Sequence, residues 1–185
     1  ESTGVKAPVL VPMIRGRLTS VNGKPTSGKD FAGRDDEGQS QRRAEREFNL
    51  SFSRTLRADN TIVDGKFWPA DYRGAPQLSV EEGYAKSLDW KLGDKIAFDI
   101  AGQAYEAELT SLRKVDWESF QPNFFVIGSP GSLDGFPASY IGGVHVDRAD
   151  TGFTNRLVTA FPNLSVIDID AVMDQVRGTV DQVSL

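Results

Sequence analysis

The chain has 185 residues, 39% hydrophobic and 25% charged, with 18 glycines, no cysteine and a formal net charge of -5. That length suits one domain or two small lobes sharing an interface. The acidic balance excludes a nucleic-acid partner held through a basic stripe, and the missing cysteines remove disulfides, thiolate nucleophiles and Cys-ligated zinc.

Taken in order, Val9 to Val21 begins apolar around Pro12 and then alternates, Ile14 and Leu18 against Arg15, Arg17 and Thr19, as a half-buried strand does. Asn22-Gly23 turns the chain. From Lys24 to Ala44 the only large apolar side chain is Phe31, so residues 24–44 read as a mobile loop of unusual length. Phe48, Leu50 and Phe52 alternate with Asn49, Ser51 and Ser53, a strand with one buried face. Ala58 to Pro76 reads as irregular. Its Phe67, Trp68 and Tyr72 are expected to pin that stretch to the core, in preference to facing a ligand.

Ser79-Val80-Glu81-Glu82 has the form of a capping box and predicts a short helix with Val80, Tyr84 and Leu88 as its buried stripe. Ile96, Phe98 and Ile100, a turn at Ala101-Gly102, then Tyr105, Ala107 and Leu109 predict a hairpin. Leu109 and Leu112 are three apart, so its second strand must kink or bulge near Thr110 and Ser111. The strand then breaks into an elbow carrying Trp117, Phe120, Phe124 and Phe125, a candidate contact surface for a substrate or partner, or else a satellite core.

Phe124 to Ile127 reads as a strand, followed by one through Tyr140, Gly142, Val144 and Val146. Next comes a helix capped by Asp150, with Phe153, Leu157, Val158 and Phe161 packing inward. Leu164 to Ile169 reads as a central strand, and a last helix from Asp170 carries Val172, Val176, Val180 and Val183. The fold class is α+β, a mixed sheet with covering helices.

Catalytic readings are weak. His145 is the single histidine and lies in a predicted strand, and Gly128-Ser129-Pro130-Gly131 lacks the spacing of a nucleophile elbow. Asp168 and Asp170 lie two apart, but Asp170 is already accounted for as a helix cap and no third ligand stands beside them. Neither phosphate-cradling glycine motif occurs. The residues point to no enzyme, no metal and no cofactor.

The run Thr-Ser-Leu-Arg-Lys-Val-Asp-Trp-Glu-Ser-Phe-Gln-Pro-Asn-Phe-Phe at 110–125 resembles a signature of the large FtsX-like ABC-transporter permeases of the YbbP type. Arg17-Leu-Thr-Ser-Val-Asn-Gly-Lys-Pro-Thr, Arg46-Glu-Phe-Asn-Leu-Ser, Ile62-Val-Asp-Gly, Ser79-Val-Glu-Glu-Gly-Tyr-Ala-Lys, Leu92-Gly-Asp and Ala171 to Leu185 agree in order. The resemblance implies a non-catalytic periplasmic domain of an inner-membrane protein, with a MacB-like periplasmic core. A cytosolic ABC ATPase would drive it, and a periplasmic esterase or lysophospholipase would receive a hydrophobic small molecule or lipid. A chain that starts at Glu1 and stops within a predicted helix, with no window near the roughly 20 apolar residues of a bilayer span, is expected to be a segment of such a larger protein. The alternative is a secreted lipid-binding module or hydrolase.

Overall fold

The computed structural model describes residues 10–33, 36–119, 121–143 and 152–167. The chain divides into two compact units, Pro8–Gly143 and a second formed by Glu1–Ala7 with Val144–Leu185.

The first unit is built on β1 (Val11–Val21), β3 (Phe48–Phe52), β5 (Gln77–Glu81), β6 (Lys95–Ile100), β7 (Gln103–Val115) and β8 (Val126–Gly128). Each of the six pairs with two others. β1 pairs with β3, β3 with β8, β8 with β5, β5 with β7, β7 with β6, and β6 returns to β1. The sheet is therefore closed into a barrel, with β3–β8 and β5–β7 parallel and the other four contacts antiparallel. A mixed sheet with few helices agrees with the α+β reading, but closure changes how the core is covered. The barrel buries its apolar face against itself, so little is left for helices to cover.

Alternation along the strands puts Ile14, Leu18, Phe48, Leu50, Ile96, Phe98, Ile100, Tyr105, Ala107 and Leu109 in one buried cluster. Phe48 lies at its centre, with ring centroids 5.3 Å from Phe98, 5.8 Å from Trp90 and 5.9 Å from Tyr84. The barrel is tightly packed at Gly16, where a Cβ would meet Ile100 Cγ1 at 3.2 Å and Leu50 Cδ1 at 3.3 Å.

The hairpin expected from the alternation is β6–β7, turning at Ala101 and Gly102, both with positive φ. The bulge is present too. Leu78 pairs with Leu109 but Ser79 pairs with Ser111, which leaves Thr110 as the extra residue. Its consequence is a change of face. Beyond Thr110 it is Leu112 that packs on the barrel core, while Ser111 and Arg113 are buried on the opposite side.

Residues 24–44, read as a loop, carry β2 (Lys24–Pro25), a 3-10 turn (Gly28–Phe31) and most of α1 (Gln39–Glu45). Phe31 and Ala44 join the main core, which explains why a sparse sequence folds here. The stretch from Ala58 contains a strand that the reading missed, β4 (Asn60–Gly65), paired on β7. Trp68 pins the following segment. It is buried in a second cluster with Phe124 and Ile127, and its Nε1 donates to Ser53 O at 2.8 Å.

The capping box is a correction. Ser79 and Val80 belong to β5, and the helix α2 (Glu82–Ser87) is capped by Glu81, whose carboxylate accepts from Gly83 N and Tyr84 N at 3.0 and 2.7 Å. Ser79 is drawn into the sheet by pairing with Ser111 and Ile127, and its hydroxyl is spent elsewhere.

β9 (Ser139–Ile141) pairs on β1. In the second unit, α3 (Phe153–Ala160) follows Gly152, with Phe153 and Leu157 half-buried but Val158 and Phe161 exposed, so the inward stripe is only half realised. Residues 164–167 form no strand and Leu164, Val166 and Ile167 are exposed, which corrects the central-strand reading over its described part. Asp150 and the helix expected from Asp170 lie outside the described residues. No helix among the described residues is long and apolar enough to cross a membrane.

Candidate functional site

The elbow joins β7 to β8. Asp116 starts a 3-10 turn, Trp117–Ser119, by accepting from Glu118 N at 3.0 Å. The turn projects Trp117 outward at 47% exposure, and Phe125 meets it from the other end of the elbow, ring centroids 5.0 Å apart. Phe125 in turn stacks on Tyr84 of α2 at 4.4 Å and 15°. The Arg43 guanidinium of α1 lies 4.9 Å from the Tyr84 centroid and 5.8 Å from that of Phe125, held there by donation to Ser87 Oγ at 2.7 Å. The outcome is a platform of two exposed rings on a buried one with a cation at its side. It floors an open groove of ≈ 680 Å³ whose walls include Gln39, Arg43 and Lys86.

The four residues expected at this site separate. Trp117 and Phe125 come together on the surface, whereas Phe124 is buried against Trp68 and Ile127. Phe120 lies outside the described residues. Exposure and burial thus fall to different residues of the elbow, because successive positions of an extended chain face opposite ways.

Three residues of this site escaped sequence reading. Tyr84 was read as core, and it is, but one ring face supports Phe125. Burial raises its phenol to about 12, against the charges of Arg43 and Arg46, so it stays neutral. Arg43 stands among Arg42, Glu45, Arg46 and Glu47, and nothing in that pattern distinguishes it. Arg113 is fully buried beneath the elbow, donating from Nη2 to the carbonyl oxygens of Phe124 and Phe125 at 2.8 and 2.9 Å. Burial lowers its guanidinium to about 10, partly offset by Glu81, which leaves it charged at neutral pH. The one available signal was the bulge, since it moves Arg113 off the face that alternation assigns it.

A second polar group lies beside it. Asp59 accepts from Asn123 Nδ2 at 2.7 Å, Ser119 Oγ at 2.8 Å and Asn60 Nδ2 at 2.9 Å. Burial alone would raise this carboxyl, but those bonds and the charge of Arg57 outweigh it and hold it at about 2.

The remaining candidates show no catalytic geometry. Ser129 is fully buried with its hydroxyl accepting from Gln77 N, and Ser132 bonds Tyr105 Oη and Ser129 O. His145, Asp168 and Asp170 lie outside the described residues. Among the described residues no group of three His, Asp or Glu side chains could hold a metal ion.

Over 165 residues, 89% of its length, the chain is 41% identical to the protein described as the uncharacterized ABC transporter permease YbbP of Escherichia coli strain K12. The chain is similar to a YbbP-type permease domain. It spans 19% of that relative's length. No family model matches the chain, and no solved structure matches it.

Proposed function

We propose that the chain is a non-catalytic periplasmic domain of an FtsX-like ABC-transporter permease, one that serves the role of a MacB-like periplasmic core. In this reading a cytosolic ATPase subunit drives the full-length permease, and the domain couples that motion to extraction or hand-over of a hydrophobic or lipid-like substrate, with a periplasmic esterase or lysophospholipase as the receiver. The observation that carries it is the 41% identity over 89% of the chain to a permease.

The groove supports the substrate class. Trp117 and Phe125 offer apolar surface to the groove, whose walls carry both cations, Arg43 and Lys86, and carboxylates, Asp36 and Glu81. Exposed aromatics that are already stacked lose little side-chain freedom on binding, which favours contact with an apolar surface.

The test is transport by the full-length permease reconstituted with its ATPase in vesicles carrying an acyl-chain fluorophore. Wild-type protein extracts the fluorophore on addition of ATP. The double substitution Trp117→Ala and Phe125→Ala lowers extraction while ATP hydrolysis continues. Equal extraction by both proteins would remove the platform from the substrate path, and no ATP-dependent extraction by either would remove the substrate class.

A further inference from the structure

We infer that Arg113 is a positioning residue for the platform, a buried latch that makes the elbow and the barrel wall one rigid body. The inference rests on the proposed contact role of Trp117 and Phe125.

A guanidinium taken fully out of water is costly, and an apolar side chain of similar volume would often stabilise such a site as well. What an apolar residue could not supply is a set of directed bonds. Arg113 donates from Nε to Ser79 Oγ at 3.0 Å, from Nη1 to Asn60 Oδ1 at 2.6 Å, and from Nη2 to the carbonyls of Ser79, Phe124 and Phe125. One planar fork thereby ties β4, β5 and the elbow to β7. All these acceptors are neutral, so none of the five bonds is itself an ion pair.

The elbow is held at both ends. Phe125 O also accepts from Glu81 N at 2.8 Å, and Asp116 N donates to Asp59 O at 2.9 Å. Between them Asn60 Nδ2 reaches Asn123 Oδ1 at 2.9 Å, and Asn123 Nδ2 and Ser119 Oγ both reach Asp59. Ser119 and Asn123 are thus used inward. Trp117 and the exposed face of Phe125 are left outward as a preformed surface.

The experiment is fluorine NMR of the 185-residue chain with 5-fluorotryptophan at Trp68, Trp90 and Trp117, each resonance assigned by its Trp→Phe variant. Trp90 packs on Phe48 and Phe98 in the barrel core and reports on the fold. Arg113→Lys keeps the charge, but one ammonium cannot satisfy the separated acceptors. The expected result is a shifted or broadened Trp117 resonance with Trp90 unmoved, and a smaller Trp117 change of the same sign in Asn123→Ala. Should Arg113→Lys fail to fold, Asn123→Ala decides by the same comparison. An unmoved Trp117 resonance overturns the inference, as does a Trp90 change as large as that of Trp117, which would make Arg113 a packing residue. Binding of the apolar dye ANS is read in the same samples. No dye binding to the wild-type chain, together with a Trp117 shift in Arg113→Lys, defeats the contact role and leaves the latch standing.

Discussion

The Nη2 atom of Arg113 lies 2.9 Å from the carbonyl oxygen of Phe125, whose ring stacks on Tyr84, so one buried cation fixes the backbone of an exposed aromatic. From that relationship the elbow is expected to tolerate changes to its outward rings and to resist changes beneath them. Trp117→Ala removes a side chain that is 47% exposed, and its stability cost should stay within about 1 kcal/mol. Ser79→Ala strips the acceptor of Arg113 Nε and of the Ser111 hydroxyl in a fully buried place, at a cost of roughly 1–3 kcal/mol. Urea unfolding of the two variants checks the order.

The cap of α2 can be tested against its sequence reading. With Glu81 as the cap, Glu81→Ala leaves the Gly83 and Tyr84 N–H groups without their carboxylate acceptor and costs about 1 kcal/mol, mainly as fraying of α2. Amide exchange at Gly83 and Tyr84 should accelerate in this variant. Unchanged exchange there would mean that the Glu81 carboxylate does not cap the helix.

Two glycines with nearly equal φ separate backbone strain from close approach. Gly23 has φ +75 and an added Cβ there would meet nothing within 4 Å, so Gly23→Ala carries only the left-handed penalty of about 1–2 kcal/mol. Gly65 has φ +74, and its Cβ would collide with the carbonyl oxygen of Thr110, the residue that forms the β7 bulge. Gly65→Ala should therefore be clearly the more destabilising of the two in thermal unfolding. Equal melting temperatures would deny the close approach.

Acid should remove the contribution of Asp59 to stability. The Asp59 carboxyl sits at about 2 in the folded chain against an ordinary 3.8, so it binds its proton more readily when unfolded. Its contribution is present above pH 3.8 and is lost as pH falls from 3.8 towards 2. Wild type should be more stable than Asp59→Asn at pH 6, with the gap shrinking through that window. A gap that stays constant down to pH 2 would contradict the hydrogen-bonded carboxylate.

How far the sequence reached depends on the range of each interaction. The β6–β7 hairpin and the Thr110 bulge follow from local alternation, and both are present. Closure of the barrel does not, because the contacts that close it, β1 with β6 and β3 with β8, join segments distant in the chain and leave no periodic trace. β4 was hidden by Asp and Gly in an exposed strand, where turn-forming residues outnumber apolar ones. In the elbow the aromatics were evident, and which of them would be outside was not. That choice is made by Arg113 and Asn123, polar residues whose burial depends on a chain folding back over them.

The most direct measurement is the side of the membrane on which Trp117 lies in the full-length protein. The 185 residues contain no cysteine, so Trp117→Cys places a single thiol in this segment. A membrane-impermeant maleimide is added to cells whose outer membrane alone has been permeabilised. The periplasmic account predicts labelling under those conditions. Labelling only after the inner membrane is broken would put the platform in the cytosol and contradict it.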